Sequence, residues 1–340
     1  MGRESVLREV KVDDAVGLPL AHDLTRIDPG RFKGIAFRKG HLIREEDIPE
    51  LKRIGKEHIY VLELGDGDVH EDDAAIRMAQ AACGSNLQPF GPGEGKVLLK
   101  SAIRGLAMID RSFIDEVNSI DQLAMATLPS HTVVSSGQSV AGTRAIPLIV
   151  AKEKVEAVER LAREWRERHL GEGPISVKPF RTMRAGLITT GSEVYNGLVE
   201  DRFGPVVRKK LEAFGSFVAE QRFSTDDASE IAGHIRYFEE QQVDLILVTG
   251  GMSVDPDDRT PGAIKQAGAR IVSHGTPMLP GSMLLVAYLG AIPVVGLPGS
   301  VMHDKFTVFD VLLPRICAGE TIERQAITRL GYGGLFADRG

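Results

Sequence analysis

The run Val243-Asp244-Leu245-Ile246-Leu247-Val248-Thr249, followed at once by Gly250-Gly251-Met252-Ser253, decides the fold. An apolar strand without polar alternation is buried on both faces, as in a parallel sheet. A double glycine at its end lets the chain turn sharply into the next element. The same rhythm recurs on both sides. Upstream lie a strand over Ala185–Thr190, a glycine turn, a helix over Phe203–Phe214, a strand over Phe217–Phe223 and a helix over Ala228–Gln242. Downstream come a helix over Pro261–Ala267, a short strand at Arg270–Val272, strands over Leu284–Tyr288 and Ile292–Gly296, and a last helix over Val301–Ile316. Apolar strands separated by helices predict an α/β fold, a doubly wound parallel sheet spanning 181–320.

The chain before this domain reads differently. Residues 1–70 suggest a small α+β module, with a strand over Phe32–Gly40, a helix over Glu45–Gly55 and a strand over Ile59–Leu62. A middle block, 71–180, opens on an Ala-rich helix over Asp72–Cys83 and closes on a charged amphipathic helix over Lys152–His169. Between them Val97–Asp110 and Ser112–Leu123 read as helices, and Val133-Val134 and Ala145–Val150 as strands. The glycine-rich Pro89–Lys96 lacks the Ser or Thr after the lysine that a phosphate-binding P-loop needs, and reads as a structural turn. This block shows no catalytic constellation. Residues 321–340 read as a C-terminal tail.

Composition narrows the classes. With 43% hydrophobic and 26% charged residues, the 340-residue chain can bury a sizeable core, and a net charge of −6 argues against a nucleic-acid partner. Two cysteines without a CxxC pair exclude a disulfide framework or structural zinc site. The charged N-terminus lacks an apolar signal segment, and the apolar runs are too short for a bilayer, so a cytoplasmic protein without membrane contact is expected.

In a doubly wound sheet, ligands bind where strands end and cross into helices. Three such ends are built for this: Thr189-Thr190-Gly191-Ser192-Glu193, Thr249-Gly250-Gly251-Met252-Ser253, and Leu297-Pro298-Gly299-Ser300 before a helix whose first amides favour an anion. A phosphorylated small molecule is the natural ligand, and a side chain at Gly250 would block its approach. Asp226-Asp227 follow one strand, and Asp255, Asp257 and Asp258 follow the double glycine. Carboxylates beside a phosphate call for a bridging cation, so Mg²⁺ held by Asp226, Asp227 and Asp258 is expected. The same residues also read as a helix cap at Asp226 and a solvated turn over 255–258.

The ordered series of Thr-Gly-Ser-Glu, Asp-Asp, Thr-Gly-Gly-Met-Ser with Asp258, Met278-Leu279-Pro280-Gly281 and Leu-Pro-Gly resembles the molybdopterin-binding domain. That domain is shared by molybdopterin molybdenumtransferases, molybdopterin adenylyltransferases and related proteins. The resemblance implies that Thr190, Gly191, Ser192 and Glu193 line a pterin phosphate pocket. Thr249, Gly250, Gly251 and Ser253 would line its neighbour, Pro298, Gly299 and Ser300 would form a third wall, and Pro280 and Gly281 would contribute a turn. Asp227 and Asp258 would act catalytically on the metal or the departing nucleotide. The implied ligands are molybdopterin or its adenylylated form, with Mg²⁺ and molybdate, in a self-associating protein. Departures matter: Asp201 is followed by Arg202-Phe203 rather than Ser-Asn, and Leu279-Pro280-Gly281-Ser282 stands where the transferases carry Lys-Pro-Gly-Lys. Arg202, Arg259, His274, His303 or Lys305 are the cations left to replace the lysines. A molybdenumtransferase-like enzyme is the leading expectation. A non-catalytic carrier or sensor of the cofactor, and a pyrophosphate hydrolase, are the alternatives.

Overall fold

The computed structural model describes residues 6–28, 32–63, 65–93, 95–252 and 259–336. The chain forms two units, 1–178 and 179–340.

The first unit holds two hydrophobic cores. One gathers Val12, Leu20, Ile43, Leu51, Ile59 and Val61 of the N-terminal module, where strands Val6–Lys11 and His58–Glu63 pair antiparallel. In the other, the helix Glu71–Ala82 lays Ala74, Ala75, Met78 and Ala79 on a four-stranded antiparallel sheet. That sheet corrects the sequence reading. Val97–Asp110 forms two strands, Lys96–Ser101 and Gly105–Ile109, rather than a helix. Val97, Leu99 and Ser101 are buried at alternate positions, a period of two that pairs them with Ser139–Ala145. Pro89–Gly93 likewise belongs to the edge strand Leu87–Gly93, where prolines are tolerated, and is not a plain turn. The helix expected over Ser112–Leu123 ends at Asn118, and Leu123–Thr127 is a strand.

The second unit is the predicted doubly wound domain. Its strands are β1 (Arg184–Thr190), β2 (Phe217–Ser224), β3 (Leu245–Thr249), β4 (Arg270–His274), β5 (Leu285–Leu289) and β6 (Ile292–Leu297). They form one sheet in the order β2-β1-β3-β6-β5-β4. The first four run parallel, while β5 runs antiparallel to both its neighbours. The helices are α1 (Ser192–Tyr195), α2 (Phe203–Glu212), α3 (Ala228–Glu240), α4 (Thr260–Gln266), α5 (Ser300–His303), α6 (Val308–Cys317) and α7 (Arg324–Thr328).

The central strand explains why helices cover both faces. Leu245 and Leu247 pack among Val207 and Leu211 of α2 and Phe309 and Leu312 of α6. Ile246 and Val248, pointing the other way, pack among Ile231, Ile235 and Phe238 of α3 and Ile264 of α4. Each such side chain contributes about 1.5–3 kcal/mol by leaving water. Two boundaries differ from expectation. The helix foreseen over 301–316 breaks between α5 and α6, because Thr307 and Asp310 form a capping box that starts a new helix. Residues 321–336, read as a tail, carry α7 and bury Ile322 and Ile327 in the same core.

Candidate functional site

The strand register brings the predicted loops to one edge. Thr190 pairs with Ser224, Thr189 with Thr249, and Thr249 with Leu297, so β1, β2, β3 and β6 end side by side. Because β5 is antiparallel, its first residue, Leu285, lies beside Gly296, and the Pro280-Gly281 turn reaches the same edge. His274, the last residue of β4, pairs with Leu285 and joins it there. Ser253 and Asp258 lie outside the described residues.

The hydroxyls at this edge divide into two groups. Thr190 Oγ1 donates to the Thr249 carbonyl at 3.0 Å, Thr249 Oγ1 to the Ile188 carbonyl at 3.4 Å, and Thr260 Oγ1 to the Gly250 carbonyl at 2.9 Å. These groups latch the β1, β3 and α4 ends together and have their protons engaged within the protein. Ser300 Oγ is different: it is buried and, among the described residues, has no hydrogen-bond partner. Thr276 Oγ1, just beyond β4, is also buried without one. A buried hydroxyl left unsatisfied costs about 1–3 kcal/mol, so these two, with Ser224 Oγ at the end of β2, mark where a polar ligand group would be welcome.

The glycines also separate. Gly250 has φ +88°, and a Cβ there would stand 2.6 Å from Thr190 Oγ1 and 2.8 Å from the Thr190 carbonyl oxygen. It is needed so that two loops can touch, a reason other than the open approach path inferred from sequence. Gly299 has φ −55°, and a Cβ there would meet nothing within 4 Å. The helix after it is a single turn, and the amides of Val301 and Met302 donate to the carbonyls of Pro298 and Gly299. The anion-binding helix start expected from sequence is therefore much reduced. Pro280 accepts the Val308 amide through its carbonyl, which ties its turn to α6.

The two described carboxylates hold loops in place. Asp226 Oδ2 accepts from both the amide and the hydroxyl of Ser192, each at 3.0 Å, joining the first loop to the end of β2. Asp227, not Asp226, caps α3: its Oδ1 accepts the amides of Ser229 and Glu230, each at 2.9 Å. Among the described residues, no group of three or more His, Cys, Asp or Glu side chains could hold a metal ion. Asp258, the third residue expected to hold Mg²⁺ with Asp226 and Asp227, lies outside the described residues. Next to this cap, hydrogen bonds from Thr225 hold the Glu230 carboxyl below the usual range. Burial, followed by the positive charge of Arg222, pushes His234 down, so its ring is neutral at pH 7.

Glu193 is exposed, as are Arg202, Arg259, His303 and Lys305, the cations considered as substitutes for the missing lysines. Sequence reasoning missed Thr276 and Arg324. They border a cleft of about 420 Å³ with His274 and Thr328, next to the edge. No motif announces them, because Arg324 comes from the segment read as a tail. It donates to Ser273 Oγ of β4.

Fold and edge together define a doubly wound α/β domain, a class whose ligands bind at strand ends. Residues 186–318 match the family described as "Probable molybdopterin binding domain", and this stretch belongs to that molybdopterin-binding domain family. Residues 9–63 match a second family, "Domain of unknown function (DUF8806)". CinA-like proteins of Mycobacterium tuberculosis (strain ATCC 25177 / H37Ra) and Mycobacterium marinum (strain ATCC BAA-535 / M) are 39% and 36% identical over 77 residues. That overlap covers 23% of this chain and only 18% of theirs. The crystal structure of the protein CinA from Thermoplasma acidophilum, of unknown function, is 20% identical, with 40% of this chain and 98% of that one covered at a TM-score of 0.33. The molybdopterin biosynthesis enzyme MoaB from Thermus thermophilus is 22% identical, with 41% and 98% covered at a TM-score of 0.34.

Proposed function

We propose that the strand-end edge of the second unit binds molybdopterin, with the pterin's phosphate or another polar group seated against Ser300. The carrying observation is the Ser300 hydroxyl, buried and, among the described residues, without a partner while those of Thr190, Thr249 and Thr260 are engaged. In this reading Gly299 leaves the ligand room, and Thr276 supplies a second donor along the same edge. Thr190, Thr249 and Thr260 shape the edge, and Asp226 holds Ser192 in place. The protein then serves molybdenum cofactor biosynthesis as a carrier or sensor of the pterin. Two observations favour this: the lysines are absent at 279–282, and the described carboxylates are occupied in holding loops. Molybdenumtransferase-like turnover is the second reading, favoured by Asp258, which completes the motif order.

Anaerobic calorimetric titration of the full chain with molybdopterin tests the binding. A micromolar or tighter Kd that weakens at least about tenfold in Ser300→Ala supports it. Absence of binding, or equal affinity in the variant, defeats it. Molybdate insertion into adenylylated molybdopterin then separates the readings: tight binding without insertion means a carrier, and insertion means a transferase.

A further inference from the structure

The middle of the first unit holds a cleft of about 580 Å³, within the 300–1,000 Å³ range typical of small-molecule sites. Its floor is aromatic. Trp165, near the end of the helix Lys152–Arg168, stacks on His169 with ring centroids 3.7 Å apart and planes 11° from parallel. The His169 ring is fixed by its Nδ1–H donating to the Trp165 carbonyl at 2.8 Å, and the residue is exposed. Met108 and Ile109, from the strand Gly105–Ile109, supply an apolar wall.

The charges around the cleft are unevenly engaged. Asp110 is occupied by the Ser112 hydroxyl at 2.6 Å and the Phe113 amide at 2.8 Å. Glu172 accepts the amides of Ser85 and Gly173, each at 2.8 Å. Burial alone would raise both carboxyls, but these hydrogen bonds outweigh it and keep them ionised and satisfied. The cations have no such counterparts. Arg168 donates only to the Glu164 carbonyl, and neither Arg168 nor Lys178 forms an ion pair among the described residues. Both are exposed at the cleft.

We propose that this cleft binds a small organic anion with a flat, apolar body. The flat part extends the Trp165–His169 stack, since aromatic rings gain from offset stacking on an open face. The acidic group lies between Arg168 and Lys178, whose charges it neutralises. This site is independent of the pterin edge and gives the middle block a ligand of its own.

Trp165 is the sole tryptophan of the chain, so its emission reports on the cleft directly. The probe is 8-anilinonaphthalene-1-sulfonate, an aromatic anion, titrated into the full chain. Its neutral relative N-phenyl-1-naphthylamine serves as the comparison. We expect saturable one-site binding that quenches Trp165, with Kd at least about tenfold higher for the neutral dye. A similar loss is expected in an Arg168→Glu/Lys178→Glu double variant. Both side chains are exposed, so far-UV circular dichroism and melting temperature of that variant stay as in the parent. The proposal is overturned if the sulfonate fails to bind, if it binds without quenching Trp165, or if its Kd is unchanged in the folded double variant. Equal affinity for the neutral dye overturns it as well.

Discussion

Replacing Gly250 and Gly299 by alanine, one at a time, separates a glycine needed by the fold from one needed by the ligand. At Gly250 the new Cβ would lie 2.6 Å from Thr190 Oγ1 and 2.8 Å from the Thr190 carbonyl oxygen. The hydroxyl can rotate away, but the backbone oxygen cannot. Overpacking of this kind costs about 1–3 kcal/mol. The φ of +88° adds about 1–2 kcal/mol for any residue with a Cβ. Together these predict a loss of about 2–5 kcal/mol, or roughly 5–20 °C in the melting of a domain of this size. At Gly299 the backbone is already helical, with φ −55° and ψ −30°, and the methyl meets nothing within 4 Å. There alanine should be neutral or up to about 1 kcal/mol stabilising, by restricting the unfolded chain. Molybdopterin binding should nevertheless weaken about tenfold or more, because the methyl stands beside Ser300 where the ligand sits. Scanning calorimetry of the full chain and ligand titration read the two effects separately. A Gly250→Ala protein that melts like the parent would refute the packing argument. Undiminished binding in Gly299→Ala would remove that wall from the site.

Other changes test single contacts. Asp227→Ala removes the cap of α3 and should cost about 1 kcal/mol by denaturant unfolding, whereas Asp227→Asn keeps an acceptor and the stability. If the asparagine variant binds molybdopterin normally but loses insertion activity, Asp227 acts on the ligand as well as on the helix. Ser300→Ala should leave the melting temperature unchanged or raised, because it deletes an unsatisfied buried hydroxyl. Destabilisation there would show that the hydroxyl has a structural partner after all. Cys317 is fully buried, and burial pushes its thiol from 9.0 up to about 11. The folded state therefore binds its proton more tightly than the unfolded state. Its contribution is complete below pH 9 and is lost as pH rises toward 11, a fall of about 3 kcal/mol that Cys317→Ala should abolish.

The second unit was legible because its strands are unambiguous. Val243–Thr249 and Ile292–Gly296 are too apolar for anything but a covered sheet, and Gly250-Gly251 after the first and Pro298-Gly299 after the second mark where they end. What the sequence hid was how the loop residues are used. Thr190, Thr249 and Ser300 look alike as hydroxyls, yet only the register of β1 against β3 engages the first two with backbone carbonyls. Asp226 and Asp227 are adjacent, and which one caps α3 depends on the side-chain direction at the turn. The middle block misled for a different reason. Val97-Leu98-Leu99 with Ile103 and Leu106 suits a helical spacing as well as a strand, so periodicity alone could not choose. Gly105, at the start of the next strand, was the available sign against a helix. Trp165 and His169 stood four apart on a recognised helix, which shows that they meet but not that they floor a cleft.

The threonine latch between β1, β3 and α4 has an evolutionary consequence. The ends of β1, β3 and α4 are held by contacts within the protein, so the described part of this edge does not depend on a ligand to hold it together. Ser300, Thr276 and His274 take no part in that latch. Substitutions at those three positions can alter what the edge prefers while the backbone beneath stays as it is. If the edge binds the ligand proposed for it, ligand preference in this domain is therefore free to drift between lineages while the latched strand ends are kept.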